Sequence, residues 1–331
     1  MISSIHCLRG IASIMVFFAH YRTIPGLSSP LNDFFSMGAY GVDMFFVISG
    51  FVVCLMLDKL KILYETGFHI RFLLSRFVRV IVPLWGAMIM YYIVVGDYSG
   101  KDNLINSIFL IPTSNTYYDN LTVFYLEPQW SLLFESMFYI VLSAFIGFKH
   151  NFLYSAGTLF ILCIAYFFGC DNYIANPIIL EFIFGMLSYQ IFLMRCVFVS
   201  KWVLFGPVLF FLIFSFLLRN QAGEIDSILR VLTVGVSCFF IIVTFSNNEG
   251  INLKMKEQKT LIFLGNVSYS VYLTHMIGFR IFEKYQPFYQ DFSIYYRAII
   301  LFFVITSITL SFYFLFDKPC HHLSKMILKN D

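Results

Sequence analysis

Residues 9–20 read RGIASIMVFFAH, and this stretch decides the fold. It is the body of a membrane-spanning helix with a guanidinium near one end and an imidazole near the other. It sits in an apolar run, residues 4–23, long enough at ~1.5 Å per residue to cross a hydrocarbon core of ~30 Å. Arg9 inside the run, the lack of a small-residue cleavage site after it and the further spans beyond argue that it is retained and is not a signal peptide.

Similar runs recur along the chain, at residues 38–57, 77–95, 128–147, 152–169, 174–194, 202–218, 227–245, 261–282 and 295–316. The apolar stretches are continuous, with no alternation, which excludes a β-barrel or sandwich. The expected fold is therefore all-α: a polytopic transmembrane helical bundle of about ten helices. Composition agrees. Of the 331 residues, 59% are hydrophobic and only 12% charged, and the mean hydropathy is +0.79, too apolar for a soluble domain. Residues 1–331 read as one integral membrane domain with no appended extracytoplasmic domain, and nothing in them points to nucleic acid.

The net charge of +3 says less than the placement of the basic residues. A cytoplasmic N-terminus puts Lys59, Lys61, Arg71, Arg76, Arg79, Lys149, Arg195, Lys201, Lys254, Lys256, Lys259, Lys318, Lys325 and Lys329 inside, against a smaller outer set such as Lys101, Arg219 and Lys284. An even number of spans then leaves both termini cytoplasmic. The longest outer segment, 96–127, reads as a loop with a short interfacial piece, LINSIFLIP. The seven cysteines show no CxxC spacing and lie mostly in apolar runs, so they read as small buried hydrophobes, with no disulfide framework and no metal site.

Ionisable side chains at membrane depth cost ~2.5–3.5 kcal/mol each on insertion scales, so those present face a cavity or a partner. Arg9 and His20 are eleven positions apart, which returns the second to nearly the same helix face ~16 Å along the axis. Asp43 enters its span from outside, Glu135 lies about two turns into WSLLFESMFY (130–139), and His275 lies ~21 Å along its span from the inner end. His20, Asp43, Glu135 and His275 thus fall in the outer half of the membrane. On the inner side, RFLLSRFVR (71–79) offers Arg76 and Arg79 three residues apart on one helical face, followed by Pro83. The pattern suggests a cationic inner mouth suited to an anionic ligand and an outer His/carboxylate cluster suited to proton transfer, with His20 as candidate general base. Taken singly, Arg76 and Arg79 read as positive-inside anchors, Arg9 as a snorkelling cation and His20 as an interfacial histidine. The glycines at 38, 41 and 50 read as close-packing positions.

The ordered set formed by Arg9 and His20, GVDMFFVISGF (41–51), Arg76-x-x-Arg79 with Pro83, WSLLFESMFY (130–139), GNVSYSVYLTH (265–275) and FYFLFDKP (312–319) resembles the acyltransferase-3 family of bacterial membrane acyltransferases over essentially the whole length. Asp317 stands where that family often has Glu, a conservative departure. The resemblance implies O-acyl transfer, most often of acetyl from cytoplasmic acetyl-CoA, to a hydroxyl of a cell-surface or exported carbohydrate or glycolipid. It places the enzyme in the bacterial cytoplasmic membrane among its lipids.

By the same resemblance, Arg9 and His20 carry over as the essential pair, with Glu135 as the third catalytic candidate. Arg76 and Arg79 fall on the acyl-CoA side. Asp43, Ser268, Tyr269, His275 and Trp130 fall in the substrate pocket, with Ser268 and Tyr269 as candidate oxyanion donors. No metal or other cofactor is implied. The competing class is a proton-coupled transporter or flippase of a glycolipid that uses the same buried groups as a proton relay. Neither an inverted repeat nor a matching pair of broken spans supports it.

Overall fold

The computed structural model describes residues 2–21, 28–63, 68–96, 101–115, 121–170, 173–194, 205–221, 223–289 and 291–328. Of the residues named above, Arg195, Lys201 and Lys329 lie outside that set, as does one of the seven cysteines, Cys196. The helices are α1 (Ser3–Tyr21), α2 (Ser29–Ser36), α3 (Gly41–Leu63), α4 (Phe68–Val95), α5 (Lys101–Ile108), α6 (Gln129–Phe145), α7 (Asn151–Phe167), α8 (Leu180–Met194), α9 (Phe205–Leu217), α10 (Ile228–Asn247), α11 (Glu249–Glu257), α12 (Lys259–Lys284), α13 (Ile294–Phe312) and α14 (Lys318–Ile327). Within the described residues, each of the ten apolar segments expected from the sequence overlaps one of these helices.

Among the described residues, five helical stretches are long and apolar enough to cross a membrane: Pro30–Leu60, Phe68–Val95, Pro177–Met194, Ile228–Asn247 and Ile294–Ile327. The shorter apolar helices α6, α7 and α9 accompany them. Helices α1 and α12, which carry Arg9, His20 and His275, are long enough, but polar side chains interrupt them. Large apolar residues such as Phe160 and Ile161 on α7, Leu209 on α9, and Phe302 and Phe303 on α13 are exposed. That is the arrangement of a multi-pass membrane protein, whose outer surface meets lipid.

The described chain gathers into two compact units, one of Met1–His69 with Met137–Ser268 and one of Ile70–Ser136 with Tyr269–Asp331. In the first, backbone meets backbone at glycines. A Cβ on Gly41 would lie 2.5 Å from the Ala12 carbonyl of α1, and Cβ atoms on Gly50 and Gly185 would lie 2.3 Å and 2.2 Å from the Phe182 and Val47 carbonyls. Helix α3 therefore packs flush against both α1 and α8, as small residues in membrane helices permit. Phe138 stacks on Phe182 with ring centroids 4.5 Å apart, and Phe46 meets Phe182 at 4.8 Å, filling the space beside that contact.

In the second unit, segment 96–127, expected as an outer loop, holds more structure than a loop. Helix α5 is followed by two three-residue strands, Thr113–Asn115 and Leu121–Val123, paired antiparallel with Thr113 opposite Val123. Buried polar contacts fasten the segment. Gln129 Nε2 donates to the Ser107 carbonyl at 2.8 Å, Tyr125 N donates to Ser107 Oγ at 2.8 Å, and Trp85 Nε1 of α4 donates to the Ile108 carbonyl at 3.0 Å. Each satisfies a polar group that lipid or core could not.

Candidate active site

Helix α1 is uninterrupted, so Arg9 and His20 do lie on one stripe, within ~20° of each other around the axis. Both side chains are half-buried, and His20 occupies the last turn. Gly10, beside Arg9, has so little space that a Cβ would sit 2.7 Å from the backbone nitrogen of Gly265 on α12. His6 Nε2 meets Asn266 Oδ1 at 3.0 Å across the same contact. The backbone that carries Arg9 is thus held by tight packing of α1 against α12.

Asp43, expected in the substrate pocket, is fully buried and has both carboxylate oxygens engaged. Arg230 Nε donates to Oδ1 at 2.9 Å and Nη2 donates to Oδ2 at 2.7 Å. Arg230 is a residue that the sequence reading missed. The available signal was the rule that a carboxylate at membrane depth needs a cation at the same depth. Arg230 lies three residues into an apolar run. Ser268 is also fully buried, with its hydroxyl donating to the Gly265 carbonyl at 2.9 Å. These residues, with Arg9 and His20, belong to the first unit.

The second unit holds the other candidates. Arg79 is buried against Asp317: its Nη1 donates to Asp317 Oδ1. Its guanidinium carbon lies 5.1 Å from the centroid of the Tyr269 ring, a cation–π contact. Ser270 Oγ donates to the other carboxylate oxygen of Asp317 at 2.7 Å, and Tyr269 Oη donates to the Val80 carbonyl at 2.7 Å. Asp317 is positioned by a π-helical turn, Tyr313–Asp317, at the end of α13, where one extra residue per turn re-aims the side chains that follow. Arg76, one turn before Arg79, is half-buried. The two arginines therefore differ in environment, a distinction their spacing hides.

Both hydroxyls expected as oxyanion donors have their protons engaged, Ser268 by Gly265 and Tyr269 by Val80. His275 is 1% exposed, and its Nδ1 lies 3.0 Å from the Val271 carbonyl one turn back. A carbonyl accepts, so this contact puts the proton on Nδ1 and leaves Nε2 as the basic nitrogen. Trp130 and Glu135 are both half-buried in the first two turns of α6. Between them Ser131 Oγ and Tyr272 Oη are 2.5 Å apart, joining α6 to α12. No group of three or more metal-ligating side chains occurs among the described residues.

A family model described as an acyltransferase domain matches residues 2–316. The exopolysaccharide production protein ExoZ of Rhizobium meliloti (strain 1021) is similar: 26% of 267 aligned residues are identical, spanning 76% of this chain and 79% of ExoZ. No solved structure matches.

Proposed function

The chain belongs to the acyltransferase-3 family, and from that membership we propose that this multi-pass membrane acyltransferase moves an acetyl group from cytoplasmic acetyl-CoA to a hydroxyl of a cell-surface or exported carbohydrate. The observation that carries the reading is the Arg9/His20 stripe on the uninterrupted helix α1, in a chain that matches the family from residue 2 to residue 316. The name of ExoZ, a protein of exopolysaccharide production, supports a polysaccharide as acceptor.

In this reading His20 is the general base. Its imidazole takes the proton of the acceptor hydroxyl as that oxygen attacks the thioester carbonyl carbon. The tetrahedral oxyanion collapses, the C–S bond breaks, and the imidazolium returns the proton to the departing CoA thiolate. Atoms and charge balance without any cofactor beyond the donor itself. Arg9 supplies a fixed positive charge to the same helix face. Arg76 binds the phosphates of CoA, since guanidinium donors match phosphate oxygens. Arg79, already bonded to Asp317, orients that stretch of α4. Glu135 is a second acid–base candidate.

The test is mass spectrometry of surface glycans from cells carrying the wild-type chain, the His20→Ala chain or no chain, with labelled acetate supplied. An alkali-labile acetyl mass that appears only with the wild type supports the reading. Unchanged glycan chemistry with altered export would favour the transporter, because transport leaves no new ester.

A further inference from the structure

Within the first unit, α3, α8 and α10 bury three ionisable side chains in one place. Asp43 and Glu181 have no exposed surface and Arg230 retains 2%. The planar guanidinium holds both oxygens of Asp43 and also donates, through Nη1, to the Glu224 carbonyl at 3.3 Å. The Tyr40 ring lies beneath it, centroid 5.0 Å from the guanidinium carbon. Asp43 and Arg230 therefore neutralise each other in a bidentate pair.

Glu181 is the group left over. It lies against Asp43 and Arg230, yet neither of its carboxyl oxygens receives a hydrogen bond from a donor among the described residues. Space has been made for it. Gly235 closes a π-helical turn, Val231–Gly235, in α10, and a Cβ there would lie 2.9 Å from Glu181 Oε1. The titratable or charged groups that face this carboxyl are Asp43 from α3 and Arg230 and Cys238 from α10, with Tyr40 on the far side of Arg230.

Two ionised carboxylates against one guanidinium would leave a net negative charge inside a membrane span. An uncompensated charge there is strongly disfavoured, so neutrality requires one proton in the cluster. Asp43 receives N–H donors on both oxygens, an arrangement that fits a carboxylate; Glu181 receives none, an arrangement that fits a carboxylic acid seeking an acceptor. We propose that Glu181 is a proton-binding site: it carries a proton at neutral pH and donates it in a hydrogen bond to Asp43, which makes the Asp43–Arg230–Glu181 cluster electrically neutral. It is the carboxyl of the cluster whose charge can change while the ion pair stays intact. The assignment stands independently of the acyl-transfer reading.

Infrared difference spectroscopy of the full chain in lipid nanodiscs, in H2O and D2O at neutral pH, tests it. The wild type should show a carboxylic-acid C=O stretch that shifts on deuteration and is missing from Glu181→Gln. In Asp43→Asn the same band should also vanish, because Arg230 then takes Glu181 as its carboxylate partner. Identical carboxylic-acid regions in wild type and Glu181→Gln would overturn the proposal. If Glu181→Gln does not accumulate, two outcomes would still overturn it: no such band in the wild type, or an unaltered band in Asp43→Asn.

Discussion

Arg79 and Asp317 stand 238 positions apart in the chain and form a buried ion pair, with Asp317 1% exposed. The pair joins the Arg-x-x-Arg of α4 to the Asp-Lys-Pro that follows α13, two motifs the sequence presents as unrelated. It also separates the roles of the two arginines.

The first prediction concerns the carboxylate. Asp317→Ala strands a guanidinium in a buried site and should cost about 3–5 kcal/mol, whereas Asp317→Glu, which keeps the charge, should cost far less. Thermal unfolding of the purified protein in detergent compares them. Equal melting temperatures for Asp317→Ala and wild type would refute the buried pair.

The arginines should fail differently. Arg76→Ala should raise KM for acetyl-CoA with little change in melting temperature, while Arg79→Ala should lower the melting temperature as it removes the partner of Asp317. Normal CoA binding by Arg76→Ala would remove that residue from the donor site.

His20→Ala should reduce acetyl transfer to background while the protein still accumulates in the membrane, because a half-buried imidazole at a helix end contributes little packing. General acid–base groups typically account for about 10²- to 10⁴-fold in rate. Loss of less than tenfold would deny His20 the role of base.

Helix contact supplies a paired test. At Gly185 a Cβ would sit 2.2 Å from the Val47 carbonyl, whereas at Gly157 in α7 nothing lies within 4 Å. Gly185→Ala should destabilise by about 1–3 kcal/mol as α3 and α8 are forced apart. Gly157→Ala, relieved of glycine's backbone entropy, should be neutral or stabilising by up to about 1 kcal/mol. Matching melts for the two variants would contradict the flush α3–α8 packing.

The helices were legible because lipid imposes continuous apolar runs of a fixed length, a local property of the sequence. Arg9 and His20 were legible for the same reason, since eleven positions on one helix fix their common face. What escaped was long-range or fine-grained. Arg230 lies 187 positions from Asp43, and nothing local in either span names the other. Asp317 was visible as a motif residue, but its engagement of Arg79 depends on a π-helical turn that apolar periodicity does not encode. The helix and hairpin within 96–127 were hidden by polar composition that reads equally well as loop.

Both buried ion pairs sit at the edge of such a turn: Arg230 directly precedes Val231–Gly235, and Asp317 closes Tyr313–Asp317. An α-helix advances ~100° per residue, so each turn works as a one-residue phase shifter for everything downstream. Winding residues 313–317 as regular α-helix, with no residue removed, would swing the Asp317 carboxylate about a quarter-circle away from Arg79, without changing the charge or hydropathy of the span. In this protein the ion pairing is thus written as much in the count of residues as in their identity.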